Sequence, residues 1–196
     1  MKAILLFCLA FSLWWADPSF AGSWHNTGDA RLFIHATGDT SSSWYPRGHI
    51  AIVGLAADTA QAWSFARLAH RLNSRWKMEI EAGGSFNQAS DNTVAIGARL
   101  YDSQFFAQMQ YWVKWRDLYQ YFQFDRPLGK TVAIGLTMQN VIPINAWSDA
   151  MWSLEGHAVY QLGRMALQAG LVRTWFSDDG KRRTGWVHRL SCSLFL

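Results

Sequence analysis

Between Gln104 and Arg116 the chain reads QFFAQMQYWVKWR, and alternate residues fall into two sets. Phe105, Ala107, Met109, Tyr111, Val113 and Trp115 form one; Phe106, Gln108, Gln110, Trp112, Lys114 and Arg116 form the other. Successive side chains of a strand point to opposite faces, so the spacing predicts a strand with one apolar and one largely polar face. Its length is what a tilted strand needs to cross a bilayer. The alternation recurs. Trp76, Met78, Ile80 and Ala82 stand against Lys77, Glu79 and Glu81; Val94, Ile96, Ala98 and Leu100 stand against Ala95, Gly97, Arg99 and Tyr101. Val132, Ile134, Leu136 and Met138 oppose Ala133, Gly135, Thr137 and Gln139, and Trp152 through Leu162 opposes Ser153, Glu155, His157, Val159 and Gln161. Leu167, Ala169, Leu171 and Trp175 mark another strand, and Trp186 through Leu196 the last.

With His49–Ala57, Ala62–Leu72 and Leu118–Phe124, ten strands can be laid out. Lys77, Glu79 and Glu81 would not lie dry inside a soluble core, whereas a wet barrel interior accepts them. The pattern therefore predicts an all-β fold, an antiparallel up-and-down transmembrane β-barrel over residues 47–196. The connections at 86–92, 140–149 and 177–185 are long, while those at 73–74, 102–103 and 163–164 are short, as a membrane barrel requires. Arg116-Asp117 is short on the long-loop side. An alternative count is eight: Ala62, Phe65, Ala66, Ala69 and Leu72 share a helical face, so 59–72 can be read as an amphipathic helix preceding the barrel. The Asn73-Ser74 turn favours ten. Residues 22–46, rich in Gly, Ser, Thr and Asp, read as a periplasmic N-terminal segment or one extra strand.

Composition supplies the address. Met1-Lys2, the apolar run Ala3 to Trp15 and Ser19-Phe20-Ala21 read as a secretory signal peptide over 1–21. Cys8 would leave with it, so Cys192 has no disulfide partner and no metal motif forms around it. Thirty of the 196 residues are aromatic. On the apolar faces they gather at strand ends: Trp115, Trp152, Trp175 and Trp186 at the long-loop end, Trp76, Phe105 and Tyr160 at the other. That is the double girdle of a membrane barrel. The net charge of +4 gives no nucleic-acid signature, and an exported address argues against that partner.

These features resemble the outer-membrane β-barrel class of Gram-negative bacteria. Leu190, Cys192, Leu194 and Leu196 match the alternating terminal strand that the barrel insertion machinery reads, although the last residue is Leu and Phe195 sits one place off. The resemblance covers residues 47–196. It implies an outer-membrane location, with outer-membrane lipid, lipopolysaccharide and the insertion machinery as partners.

Inward candidates are Lys77, Glu79, Glu81, Arg99, Gln108, Gln110, Lys114, Glu155, His157, Gln161, Gln168 and Arg189. Ion pairs among them, such as Glu79 or Glu81 with Arg99, would plug a narrow lumen or leave a thin conducting path. No cofactor or metal is expected. The function expected is a structural, adhesive or pore-like outer-membrane protein. A lipid-modifying enzyme or peptidase is the first alternative, since Glu155 could orient His157; it needs a hydroxyl beside the imidazole. The second is a secreted lipocalin-type carrier, in which the apolar faces would point inward. If the faces are as assigned, Gly135 should accept serine at little cost.

Overall fold

The computed structural model describes residues 29–53, 61–86, 92–178 and 181–196. The expected signal peptide lies outside them. Eleven strands run β1 (Asp29–Thr37), β2 (Trp44–Val53), β3 (Gln61–Arg71), β4 (Lys77–Phe86), β5 (Val94–Tyr101) and β6 (Phe105–Trp112). They continue as β7 (Asp117–Pro127), β8 (Val132–Pro143), β9 (Met151–Leu162), β10 (Met165–Asp178) and β11 (Lys181–Phe195). Each pairs antiparallel with the next, and β1 pairs parallel with β11 to close the barrel. Closure leaves no sheet edge, so every strand finds backbone partners on both sides.

Eleven strands replace the expected ten because the N-terminal segment joins the barrel. Ala30, Leu32, Ile34 and Ala36 alternate with Asp29, Arg31, Phe33 and His35, and β1 fills the gap between β2 and β11. The odd count makes the seam parallel. Asp29 bonds Arg189 across it, with Arg189 Nε donating to Asp29 Oδ2 at 2.8 Å. Residues 61–71 are a strand and not a helix: Trp63, Phe65, Arg67 and Ala69 are buried while Ser64, Ala66 and Leu68 are exposed. Placed between β2 and β4, this segment gains ladder bonds on both flanks, which outweigh its weak local preference. Among the described residues the only helical piece is a 3-10 turn at Trp147–Asp149.

The strands turn their apolar residues outward and their charged residues inward. Ile80, Ile96, Leu136 and Leu154 point outward and are 49%, 54%, 57% and 46% exposed. Glu79, Glu81, Arg67, Arg99, Glu155 and Arg189 point inward and are buried. A lipocalin-type carrier needs the opposite facing. One polar pair breaks the outer face, where Asn140 Nδ2 donates to Gln120 Oε1 at 3.3 Å.

Several boundaries shift. The strand at 104–116 ends at Trp112, and Val113 to Arg116 is a turn in which Arg116 has φ 55°. Asp125, one residue past the expected strand Leu118–Phe124, is an inward residue of β7. The charged segment 177–185 is mostly hairpin, because β10 and β11 stay paired out to Asp178 and Lys181.

Candidate functional site

The lumen holds the chemistry-bearing side chains, and it is organised around carboxylates. Glu81 is the centre of the largest group. Its Oε2 lies 2.9 Å from Arg67 Nε and 2.9 Å from Arg99 Nε. Its Oε1 accepts from Gln108 Nε2 at 2.9 Å and from Gln110 Nε2 at 2.8 Å. Three hydrogen bonds thus reach this carboxylate, from Arg67, Gln108 and Gln110, while Arg99 pairs with it by charge. Two residues along β4, Glu79 Oε1 takes Arg47 Nη1 at 2.5 Å and the Tyr101 hydroxyl at 2.7 Å. Period-two spacing on β4 puts the two carboxylates on one face, and β2, β3, β5 and β6 bring the cations and amides to them. Lys77 lies at the short-turn end of the same face, its Nζ 5.8 Å from the centre of the Tyr101 ring.

A second group bridges the seam. Arg189 Nη1 donates to Glu155 Oε2 at 2.5 Å, and Gln168 Nε2 donates to Glu155 Oε1 at 2.9 Å. Asp29 ties Arg189 to Arg31, whose Nη2 is 2.6 Å away. Glu155 therefore does not orient His157, although both face inward. The imidazole takes Asp125 instead, with Nε2 2.7 Å from Oδ1.

A hydroxyl does stand beside His157, and it belongs to Thr137 at 3.4 Å from Nδ1. The chain of bonds continues from Asp125 through Gln123 at 2.6 Å to Tyr121 at 2.7 Å. A hydroxyl, imidazole and carboxylate in that order can in principle support nucleophilic catalysis. Here Thr137 is 1% exposed and the histidine side chain is fully buried, so the hydroxyl is closed to solvent. The arrangement fits a brace across β7, β8 and β9.

That brace has a steric requirement. A Cβ at Gly135 would overlap Asp125 Oδ1 and come within 2.5 Å of the Phe124 carbonyl and 2.6 Å of His157 Nε2. The expectation that serine is tolerated there is overturned: the position must be glycine for the carboxylate and imidazole to meet. Gly135→Ser should cost about 1–3 kcal/mol through overpacking. Gly129→Ser, where a Cβ meets nothing within 4 Å, serves as the control in denaturant titrations of the micelle-folded protein.

Aromatic rings fill the long-loop end of the lumen. Trp63 lies 5.1 Å from Trp112 and 5.9 Å from Trp115, and Trp112 stacks on Tyr119 at 5.2 Å. Trp115 is therefore removed from the outer girdle. The 113–116 turn folds it onto the buried cluster of Ala51, Trp63, Phe65 and Ala95. The same turn leaves Lys114 exposed at the rim, with its amide donating to Thr93 Oγ1 at 3.1 Å, so it does not line the lumen. Gln161, one residue before the end of β9, donates to the Gly163 carbonyl at 2.6 Å, a turn contact at the barrel's edge. Nearer the seam, His35 and His49 place their Nδ1 atoms 3.2 Å apart, and the His35 ring stacks on Phe195 at 5.0 Å.

Trp152, Tyr160, Trp175 and Trp186 lie on outward strand positions near the ends, as does Phe105, which meets Trp76 edge-on at 6.0 Å. Asp102 Oδ1 accepts from the Gln104 and Phe105 amides at 2.7 Å each. The amide of Gln104, together with the Arg75 guanidinium and the amide of Phe105, holds its carboxyl below the usual range. Asp102 and Ser103 form turn structure, with the aspartate capping the chain reversal.

Sequence reasoning overlooked Arg47, Arg67, Asp29, Arg31, Asp125 and Thr137. Arg67 shares its face with Trp63 and Phe65, and Asp29 and Arg31 share theirs with Phe33, so no polar face was visible. Asp125 precedes Arg126-Pro127, which reads as a turn. No family model, curated protein or solved structure matches the chain.

Proposed function

We propose that this protein is an integral outer-membrane β-barrel whose lumen is closed by its own side chains. It acts as a membrane-anchored structural or adhesive element, and its loops and its β10–β11 hairpin are the working surface. The observation that carries this reading is the inverted polarity of the barrel. Apolar side chains from β4, β5, β8 and β9 stand exposed on the outside, while the Glu79, Glu81 and Glu155 carboxylates are buried within. Water is a poor solvent for a continuous apolar surface of this kind, and a hydrocarbon layer is a good one.

A closed lumen is favoured over a conducting one by the density of its contacts. Carboxylates are occupied by guanidinium and amide groups, and the long-loop end is filled by Trp63, Trp112, Trp115 and Tyr119. Trp147, 70% exposed in the β8–β9 loop, and Lys181 to Arg183 at the hairpin tip offer contact surface outside.

Single-channel recording in a planar lipid bilayer tests the proposal. The inserted barrel should give no resolved conductance steps above the bilayer leak. Stable, ion-selective steps would replace the structural role with a pore.

A further inference from the structure

Where β9, β10 and β11 reach the long-loop end, tryptophans surround a single arginine on the outer face. Arg173 stands opposite Trp186 in β11 and Leu154 in β9, and at the next outward position Trp175 stands opposite Trp152. The Arg173 guanidinium carbon is 5.2 Å from the Trp175 ring and 5.3 Å from the Trp186 ring. The side chain is exposed and forms no ion pair with a carboxylate among the described residues. Following the outward row of β11 away from Trp186 gives Thr184 and then Arg182, which lies opposite Ser177 and is exposed. At a rise of about 3.4 Å per residue, Arg182 lies roughly 14 Å beyond Trp186, the cross-strand neighbour of Arg173.

The outward positions here are Trp152 and Leu154 on β9, Leu171, Arg173, Trp175 and Ser177 on β10, and Arg182, Thr184, Trp186 and His188 on β11. None is acidic. Indole faces attract a cation through their quadrupole, yet they leave its charge uncompensated. In a barrel surrounded by lipid, a guanidinium at this height meets the headgroup layer, where phosphate oxygens match its planar donors in bidentate fashion. The flat indole faces on either side suit the sugar rings and the upper acyl carbons of a glycolipid.

We infer that this rim binds the headgroup of a phosphorylated glycolipid in the loop-side leaflet. One phosphate is held by Arg173 between Trp175 and Trp186, and a second by Arg182 farther out. The inference rests on the membrane reading above and goes beyond it in naming the place on the barrel and the residues that hold the lipid.

The test begins with barrel folded in dodecylmaltoside micelles, its fold checked by heat-shifted gel mobility. A bisphosphorylated glycolipid, its dephosphorylated counterpart and phosphatidylcholine are then added, and bound lipid per barrel is read by native mass spectrometry. The parent protein should retain the bisphosphorylated lipid selectively. Arg173→Gln and Arg182→Gln should each weaken that retention about fivefold, the effect of one interfacial cation. Arg126→Gln, an exposed outward arginine at the opposite end of the barrel, should leave it unchanged. Equal retention of the dephosphorylated lipid would overturn the inference while leaving the barrel intact. So would a folded Arg173→Gln/Arg182→Gln double variant that binds like the parent. Absence of a heat-shifted species in micelles would overturn the membrane reading itself.

Discussion

Glu81→Ala is expected to destabilise the barrel by about 3–5 kcal/mol, the cost of stranding buried charge by removing one partner. Arg67 and Arg99 both depend on this carboxylate, and their side chains are 1% and 6% exposed. Glu79 compensates only in part: its Oε2 stands 3.7 Å from Arg67 Nε, while Arg47 and Tyr101 occupy its Oε1. Gln108 and Gln110 would lose their shared acceptor as well. Urea titration of the protein folded in lipid vesicles measures the loss, with Lys77→Ala as a comparison at the lumen's end. Pairing Glu81→Leu with Arg99→Met should recover part of the stability, since an apolar pair of similar volume removes one of the two cations left unmatched. A loss below about 1 kcal/mol for Glu81→Ala would mean that water reaches Arg67 and Arg99 freely.

Leu136→Arg tests the other side of the wall. Leu136 lies midway along β8, outward and 57% exposed, flanked by Phe124 and Gly156 on the neighbouring strands. On a water-facing surface such a substitution changes stability by about 0.5 kcal/mol or less. On a lipid face near the bilayer midplane it should cost about 2–4 kcal/mol. Vesicle refolding of the variant against the parent separates the two. A neutral result would place water, and not hydrocarbon, against β8.

Alternation was enough to read most of the wall. In β4, β5 and β9, and in β8 as far as Met138, one set of alternating residues is uniformly apolar, so strand, period and face followed from the spacing of Met78, Ile80, Ile96, Leu136 and Leu154. The same rule placed Glu79, Glu81, Arg99, Gln108 and Gln110 on one surface, and in the barrel that surface is the lumen. Alternation alone gives two faces without saying which is inside; closure of the eleven strands decides that, because only the inward set can be shared among β2 to β6.

The first three strands were harder to read for a physical reason. Their inner faces mix aromatic and charged residues: Phe33 with Arg31, Trp63 and Phe65 with Arg67, Tyr45 with Arg47. Their outer faces include small residues such as Ala62, Ser64 and Ala66, which give little hydrophobic contrast. The segment 61–71 consequently carries helical and strand periodicity together, and pairing with β2 and β4 resolves it. The lumen's partner choices were also hidden. Glu155 and His157 are two apart on one strand, yet groups from other strands take each of them, because Gly135 opens space for Asp125 and Gly170 on the intervening β10 leaves Glu155 open to Arg189. Such pairings depend on register across strands distant in sequence, and no local pattern encodes them.

The central claim is that this barrel turns its apolar face to lipid and keeps its charges inside. Gel mobility of the refolded chain, boiled against unboiled, addresses it directly when refolding is done both in detergent and in plain buffer. The account predicts a separate unboiled band after detergent refolding, collapsing to the unfolded position on boiling, and no folded monomer without detergent. A soluble, folded monomer in plain buffer would contradict it.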